Sequence, residues 1–249
     1  MHKVFIINLK RSLDRKKAME DKISKLLKES PKLQSLLEFH FFEAVDAKND
    51  EHLAFEKHFK KACFFQGREL SLGEKGCFAS HYKLWQLCVD LNENLFILED
   101  DIFFTKDFEQ GILSILESGF EYVRLCALFD KKSLSIDEHF YITYKNFGGT
   151  QGYFLAPSAA LKFMRHSKDL IAPVDDYMDM FYINGVLNIL YKPFLIGVEP
   201  ENESTIDSRF KKLKGFAKLR RELVRVYFQA LRAFWLFLHP NTLKNLQRL

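Results

Sequence analysis

Apolar positions along this chain follow two periods, and the elements they predict alternate. Residues 4–9 (Val-Phe-Ile-Ile-Asn-Leu) form a nearly continuous apolar run, the pattern of a strand covered on both faces. A polar turn at 10–15 follows. Ala18, Ile23, Leu26 and Leu27 then predict a helix to about Lys28. Phe39–Val45 reads as a second strand, closing on Asp46. Strand, helix, strand is the opening of a parallel sheet with helices on its faces. Residues 47–69 carry no clean period. Ser71-Leu72-Gly73-Glu74 is a capping box, which starts a helix running to about Leu91. Leu95–Leu98 is a short, wholly apolar strand. Tyr122–Leu128, Tyr141–Tyr144, Gly152–Ala156 and Pro193–Val198 are further expected strands, with a Gly148-Gly149-Thr150 turn before the third. Ser158 is expected to cap a helix to about His166, and Pro173 to open another. The fold class is therefore α/β: a Rossmann-type, mostly parallel sheet flanked by helices.

From about residue 209 the pattern changes. Lys214, Lys218, Arg221, Arg225 and Arg232 fall on one stripe, and Phe216, Leu219, Leu223, Tyr227, Phe234 and Leu238 on another, as in a basic amphipathic helix. The expected organisation is a catalytic domain over 1–206 and a basic amphipathic helical tail over 207–249.

Charge sharpens that division. The 249 residues carry +4 overall, but 207–249 holds eleven Lys or Arg against two acids, a net +9 that leaves the remainder at −5. A basic tail on an acidic body meets something anionic, lipid or nucleic acid. A nucleic-acid arm needs no apolar face, so an anionic membrane surface is the expected partner and nucleic acid is not; the alternative is a tail whose apolar face packs on the catalytic domain. The apolar run 230–238 is too short to cross a bilayer, which takes about 20 residues. No secretory leader is legible either, and the expected location is cytoplasmic, peripheral on the inner face of the membrane. The four cysteines form no Cys-x-x-Cys pair and have no histidine at ligand spacing in this reading, so they are expected to be free thiols.

The candidate chemistry centres on Glu99-Asp100-Asp101, directly after a buried strand. Open parallel sheets bind ligands beyond the carboxyl ends of their strands. Three adjacent carboxylates repel one another, and a hard divalent cation, Mn²⁺ or Mg²⁺, offsets them while bridging to phosphates. The alternative is a solvated acidic turn. Gly76, Ala79 and Ser80 are small enough for close approach on the helix that also carries Glu74 and His81; His81 is a phosphate contact, a base or a structural histidine. Arg124 sits inside an apolar strand and needs a carboxylate or a diphosphate partner. Asp175 and Asp176 open a helix after Pro173, where they serve as cap acids or as a general base.

Six blocks in order, Ile-Ile-Asn-Leu-Lys-Arg-Ser-Leu-Asp-Arg (6–15), Leu-Gly-Glu-Lys-Gly-Cys-Phe-Ala-Ser-His (72–81), Leu-Glu-Asp-Asp (98–101), Val-Arg-Leu (123–125), Gly-Gly-Thr-Gln-Gly-Tyr (148–153) and Pro-Val-Asp (173–175), resemble glycosyltransferase family 25, the lipopolysaccharide and lipooligosaccharide glycosyltransferases with collagen galactosyltransferases as distant relatives. The resemblance implies a GT-A-like fold, a UDP-sugar donor, most often UDP-galactose, and inverting transfer of the β-1,4-galactosyltransferase type onto a lipid-linked glycan. It implies that Asp101 and Glu99 hold the metal. Asn8, Arg11, Arg15, Asp46, Glu74, Ser80, His81, Glu99, Asp100, Arg124, Gly149 and Thr150 are the implied donor contacts, and Asp175, or else Asp176, is the implied base. Two departures stand out. The triplet is Glu-Asp-Asp where Asp-x-Asp is expected, and Cys126 follows Val-Arg-Leu where an acid is expected. The competing expectations are a glucosyl- or N-acetylglucosaminyltransferase of the same fold, an enzyme that only hydrolyses nucleotide sugar, and a non-enzymatic module binding nucleic acid or membrane through the tail.

Overall fold

The computed structural model describes residues 1–129, 131–198 and 215–248. The first strand, β1 (His2–Asn8), is followed by helices α1 (Leu13–Glu29) and α2 (Pro31–Leu36) and by strand β2 (Leu37–Glu43). Ser30 accepts a hydrogen bond from the Leu33 amide and Pro31 takes the first helical position, which explains the short α2 that periodicity does not reveal. Strand β2 ends two residues before the expected Val45, because the Val45 amide leaves the sheet and donates to Ser80 Oγ at 2.9 Å. The unpatterned stretch 47–69 forms two short 3₁₀ turns and helix α3 (Glu56–Gln66), stopped by Gly67 at φ 70°. Helix α4 (Leu72–Leu91) starts at the capping box, with both reciprocal bonds between Ser71 and Glu74 formed.

Strands β3 (Leu95–Glu99) and β4 (Ile102–Phe104), helix α5 (Phe108–Glu117), and strands β5 (Tyr122–Arg124), β6 (Leu134–Ser135), β7 (Phe140–Ile142) and β8 (Gly152–Leu155) come next. Helix α6 (Pro157–His166) has Ala156 at its N-cap and Pro157 at its first position; Ser158 lies inside it and donates to Glu121, so it is not the cap. Helices α7 (Val174–Met178) and α8 (Phe181–Asn184), strands β9 (Ile189–Tyr191) and β10 (Ile196–Val198), and helices α9 (Gly215–Leu238) and α10 (Thr242–Leu246) complete the described chain. The expected division at 206/207 and the start of the tail near 209 lie outside the described residues.

The main sheet has the order β2-β1-β3-β8-β5-β9-β7-β6. Strands β2, β1 and β3 are mutually parallel, β5 is parallel to β9, and β8 and β7 run antiparallel to their neighbours. The fold is thus GT-A-like: a large, mostly parallel mixed sheet between helical layers. The last expected strand is not part of this sheet, since β10 pairs with β4 as a separate two-stranded ribbon.

Side chains of β3 alternate between two cores. Phe96 and Leu98 join Val4, Ile6, Met19 and Ile112 on the α1/α5 face, whereas Leu95 and Ile97 join Trp85, Phe163 and Tyr177 on the α4/α6 face. By the same two-residue period Glu99 belongs to the α4 face. The chain leaves β1 towards β2 on one side and returns to β3 on the other, so the carboxyl ends of β1 and β3 flank a crevice between connections that diverge.

Helix α9 has three faces rather than two. Phe228 packs on Phe65 at 5.6 Å between ring centroids and Trp235 on Phe181 at 4.9 Å, which seats one face on α3 and α8. Lys218, Arg221 and Arg225 are exposed on another face. Phe216, Leu219, Leu223, Val226, Phe234 and Phe237 remain exposed on the third.

Candidate active site

A cleft of about 870 Å³, its open mouth included, lies at the carboxyl ends of β1, β2 and β3. Arg11 and Arg15 wall it on the α1 side, Asp46 and Lys48 at the end of β2, Gly73, Gly76, Cys77, Ser80 and His81 along α4, and Glu99, Asp100 and Asp101 at its floor.

Close approach of α4 to the end of β2 builds one wall. A Cβ on Gly76 would lie 2.7 Å from the Val45 carbonyl oxygen, so only glycine fits without a backbone shift. Ser80 completes the seam: its hydroxyl donates to Gly76 O at 2.8 Å and accepts from the Val45 amide. Asp46 caps the following turn by accepting from the Lys48 amide at 2.9 Å and pairs with Arg11.

The three acids meet different partners. Asp100 accepts from Asn8 Nδ2 at 2.6 Å and pairs with Arg15, yet burial raises its carboxyl above the ordinary value. Asp101 Oδ2 is 3.2 Å from Arg15, while its Oδ1 is buried without a hydrogen-bond partner among the described residues. Burial, then the charges of Glu99 and Asp100, push the Asp101 carboxyl up to about 6 against the pull of Arg15. Glu99 goes the other way. Burial opposes its charge, but His81 and a hydrogen bond donated by the Thr150 hydroxyl outweigh that and hold its carboxyl below the usual value. A floor with one carboxyl held ionised, two raised carboxyls and, on Asp101, one oxygen with no partner among the described residues suits a divalent cation.

Cys77 and His81 are four residues apart on α4, one helical turn. The reading of the cysteines as lacking a histidine at ligand spacing is therefore corrected. Cys77 Sγ, a His81 nitrogen and a Glu99 oxygen all lie within 4.8 Å of one another. The spacing was legible in the sequence; the face they share with Glu99 required the fold. All four cysteines are free thiols, as expected.

Several expected donor contacts sit elsewhere. Glu74 is absent from the cleft wall and binds Arg68 through both oxygens at 2.6 and 2.7 Å while closing the α4 cap. Arg124 is buried under the Gly148-Gly149 turn, where it donates to Gly149 O and lies 3.2 Å from Asp179 Oδ1. Asp179 also accepts from the Phe147 and Gly148 amides at 2.8 and 2.9 Å. Sequence reading demanded a partner for Arg124 but did not find Asp179, which follows Asp175 by four residues in an acid-rich segment. Gly148 and Gly149 have φ of 67° and 81°, and this turn sets Thr150 against Glu99 and Cys77. Asp175 and Asp176 lie outside the cleft wall on α7, which packs against α4, with the Asp175 charge felt at Cys77. Asp176 accepts from Asn146 at 3.4 Å, and burial followed by the Asp175 charge pushes it up to about 6.

The family model described as "Glycosyltransferase family 25 (LPS biosynthesis protein)" matches residues 1–178, well over half of the chain. The chain belongs to glycosyltransferase family 25. Glycosyltransferase 25 family members of Drosophila melanogaster and Aedes aegypti are 29% and 26% identical over 203 and 204 residues, 73% of this chain and 31% of each relative. Human procollagen galactosyltransferase 2 is 31% identical over 121 residues, 46% of this chain and 18% of that protein. The chain thus spans about a third of the length of the insect family 25 relatives. The family match contains the whole acid triplet, the α4 motif and Asp175, so the cleft belongs to the part of the chain the family shares.

Proposed function

We propose that this chain is an inverting glycosyltransferase that moves a sugar, galactose from UDP-galactose in first place, onto a hydroxyl of a lipid-linked glycan. The observation that carries the reading is the Asp101 carboxylate, which has a buried, unpartnered Oδ1 at the floor of a cleft walled by Arg11, Arg15 and Lys48. A nucleotide-sugar diphosphate needs such a combination of fixed cations and an open carboxylate position. Asp101 and Glu99 would hold Mn²⁺ or Mg²⁺, which supplies charge stabilisation to the departing diphosphate. Arg15 keeps Asp100 and Asp101 in place, and Asn8 orients Asp100. Asp175 takes the proton from the acceptor hydroxyl, approaching from the α7 side of Cys77, with Asp176 as its alternate.

The test is release of UDP from UDP-galactose, UDP-glucose and UDP-N-acetylglucosamine, with Mn²⁺ or with excess chelator, in the presence and absence of a glycan acceptor. Acceptor-stimulated, metal-dependent release from one donor supports the reading. Equal release without acceptor makes the chain a hydrolase, and undiminished transfer in chelator removes the metal.

We also propose that the exposed apolar face of α9 lies on an anionic lipid surface, the cytoplasmic face of the membrane that carries the acceptor. Phe216, Leu219, Leu223, Phe234 and Phe237 are more than half exposed along one stripe, and Lys218, Arg221 and Arg225 are exposed on another face of the same helix. Among the described residues no helix is long and apolar enough to cross a membrane, which leaves interfacial binding as the geometry that satisfies both stripes.

A further inference from the structure

Three buried side chains form a chain of contacts that ends on Glu99. Trp85 Nε1 donates to Tyr153 Oη at 3.0 Å, Tyr153 Oη is 2.8 Å from His81 Nδ1, and His81 Nε2 is 3.8 Å from Glu99 Oε1. Trp85 and Tyr153 are wholly buried and His81 is 1% exposed. An indole N–H can only donate, so Trp85 occupies a lone pair of the Tyr153 oxygen. The phenol proton must then find its own acceptor, since a buried donor left unmade costs about 1–3 kcal/mol. Among the described residues His81 Nδ1 is the acceptor within reach of Tyr153 Oη. In a neutral imidazole, an Nδ1 that accepts leaves the proton on Nε2.

We propose that Tyr153, backed by Trp85, fixes His81 as its Nε2–H tautomer, and that His81 is a positioning residue that turns the Glu99 carboxylate. His81 Nε2 and the Thr150 hydroxyl both address Oε1 of Glu99. Both contacts engage Oε1, and Oε2 takes part in neither. The positioning role rests on the reading of Glu99 as a ligand-contacting group; the tautomer does not.

The same tautomer argues against a soft-metal triad of Cys77, His81 and Glu99, although their ligand atoms lie within 4.8 Å of one another. Zinc or cobalt needs the lone pair of a ring nitrogen. Here Nδ1 is committed to Tyr153 and Nε2 carries a proton.

Long-range ¹H–¹⁵N correlation spectra of histidine-labelled, metal-free protein test the tautomer, recorded above the ordinary imidazole pKa of about 6.5, with His81→Gln giving the assignment. Wild type should show a protonated Nε2 and an unprotonated Nδ1. Tyr153→Phe should lose that pattern for a mixture or for Nδ1–H. A wild-type Nδ1–H, or an unchanged tautomer in Tyr153→Phe, overturns the proposal. So does a thiolate-to-cobalt absorption band on Co²⁺ addition that Cys77→Ser removes. For the positioning role, UDP binding measured calorimetrically should weaken roughly tenfold in His81→Ala, the lower end of what supporting residues contribute, and recover in His81→Gln, which keeps an N–H on the same side. An Nε2–H tautomer with UDP affinity untouched by His81→Ala overturns the positioning role. No UDP binding by wild type overturns the donor reading and leaves the tautomer result standing.

Discussion

Single carboxylates carry the sharpest expectations, because their surroundings set them apart. Asp101→Asn keeps the shape of the cleft floor and removes one full charge from the carboxylate whose Oδ1 has no partner among the described residues. It should lower transfer by on the order of 10²-fold or more, since contacts to developing charge are worth several kcal/mol. Steady-state UDP release at saturating Mn²⁺ checks this, and a loss below threefold would show that Asp101 is not a ligand. Asp175→Asn should abolish transfer while leaving UDP-sugar affinity within a few-fold, because a base acts on the acceptor. Asp176 makes a separate prediction through stability. Burial raises its carboxyl from 3.8 to about 6 in the folded chain. The folded state therefore binds more protons than the unfolded state between about pH 4 and 6, and stability falls as pH rises through that window. Asp176→Asn should flatten this fall, and the difference between wild-type and variant denaturation midpoints across the window measures it. Glu99 and Glu74, whose carboxyls are held below the usual range, contribute the opposite slope at lower pH. Comparing the variant with wild type at each pH separates the two.

At the scale of elements, two seams shape the cleft. The first is α4 against the end of β2. Gly76→Ala gains about 1 kcal/mol of helix propensity, but its Cβ would meet the Val45 carbonyl at 2.7 Å. Overpacking of this kind typically costs about 1–3 kcal/mol, so the net effect should be destabilising and should widen the cleft, read as a lowered denaturation midpoint together with weaker UDP binding. The second is the Gly148-Gly149 turn, clamped to the sheet by Arg124 and Asp179. Both side chains are almost fully buried, so Asp179→Ala leaves an uncompensated guanidinium and should destabilise the chain by roughly 3–5 kcal/mol. The tail is a third element with its own test. Phe234→Ser with Phe237→Ser should weaken flotation with anionic vesicles at low salt by at least about tenfold, since each buried phenylalanine is worth roughly 1.5–3 kcal/mol. Both rings are more than half exposed, so the fold should survive the change. A chain that ignores such vesicles would leave α9 a purely packing role, with its contacts to Phe65 and Phe181 as the whole of its function.

For the whole molecule, local signals and long-range contacts divided the work. Strand β1, the capping box of α4, the apolar β3 and its three acids were all legible, because each depends on periodicity or on groups within four residues of one another. Strands β6 and β9 escaped, since strands of two or three residues are too short to show a period and are made by their neighbours in the sheet; helix α5 went unread although Phe108, Ile112 and Ile115 carry a helical period. The sequence by itself also held the basic amphipathic tail, the family blocks and the need of Arg124 for an anionic partner. Only the tertiary structure decided which acid that partner is: Asp179 lies 55 residues away, and no local pattern encodes such a distance. It likewise gave α9 a third face, moved Glu74 and Arg124 off the cleft wall, and brought Cys77, His81, Tyr153 and Glu99 together from one helix and two antiparallel strands. The physical reason is the same in each case. Backbone periodicity and capping are settled by neighbours in sequence, whereas the ionisation, tautomer and free lone pairs of a buried group are settled by whichever side chains the packed sheet and helices place beside it.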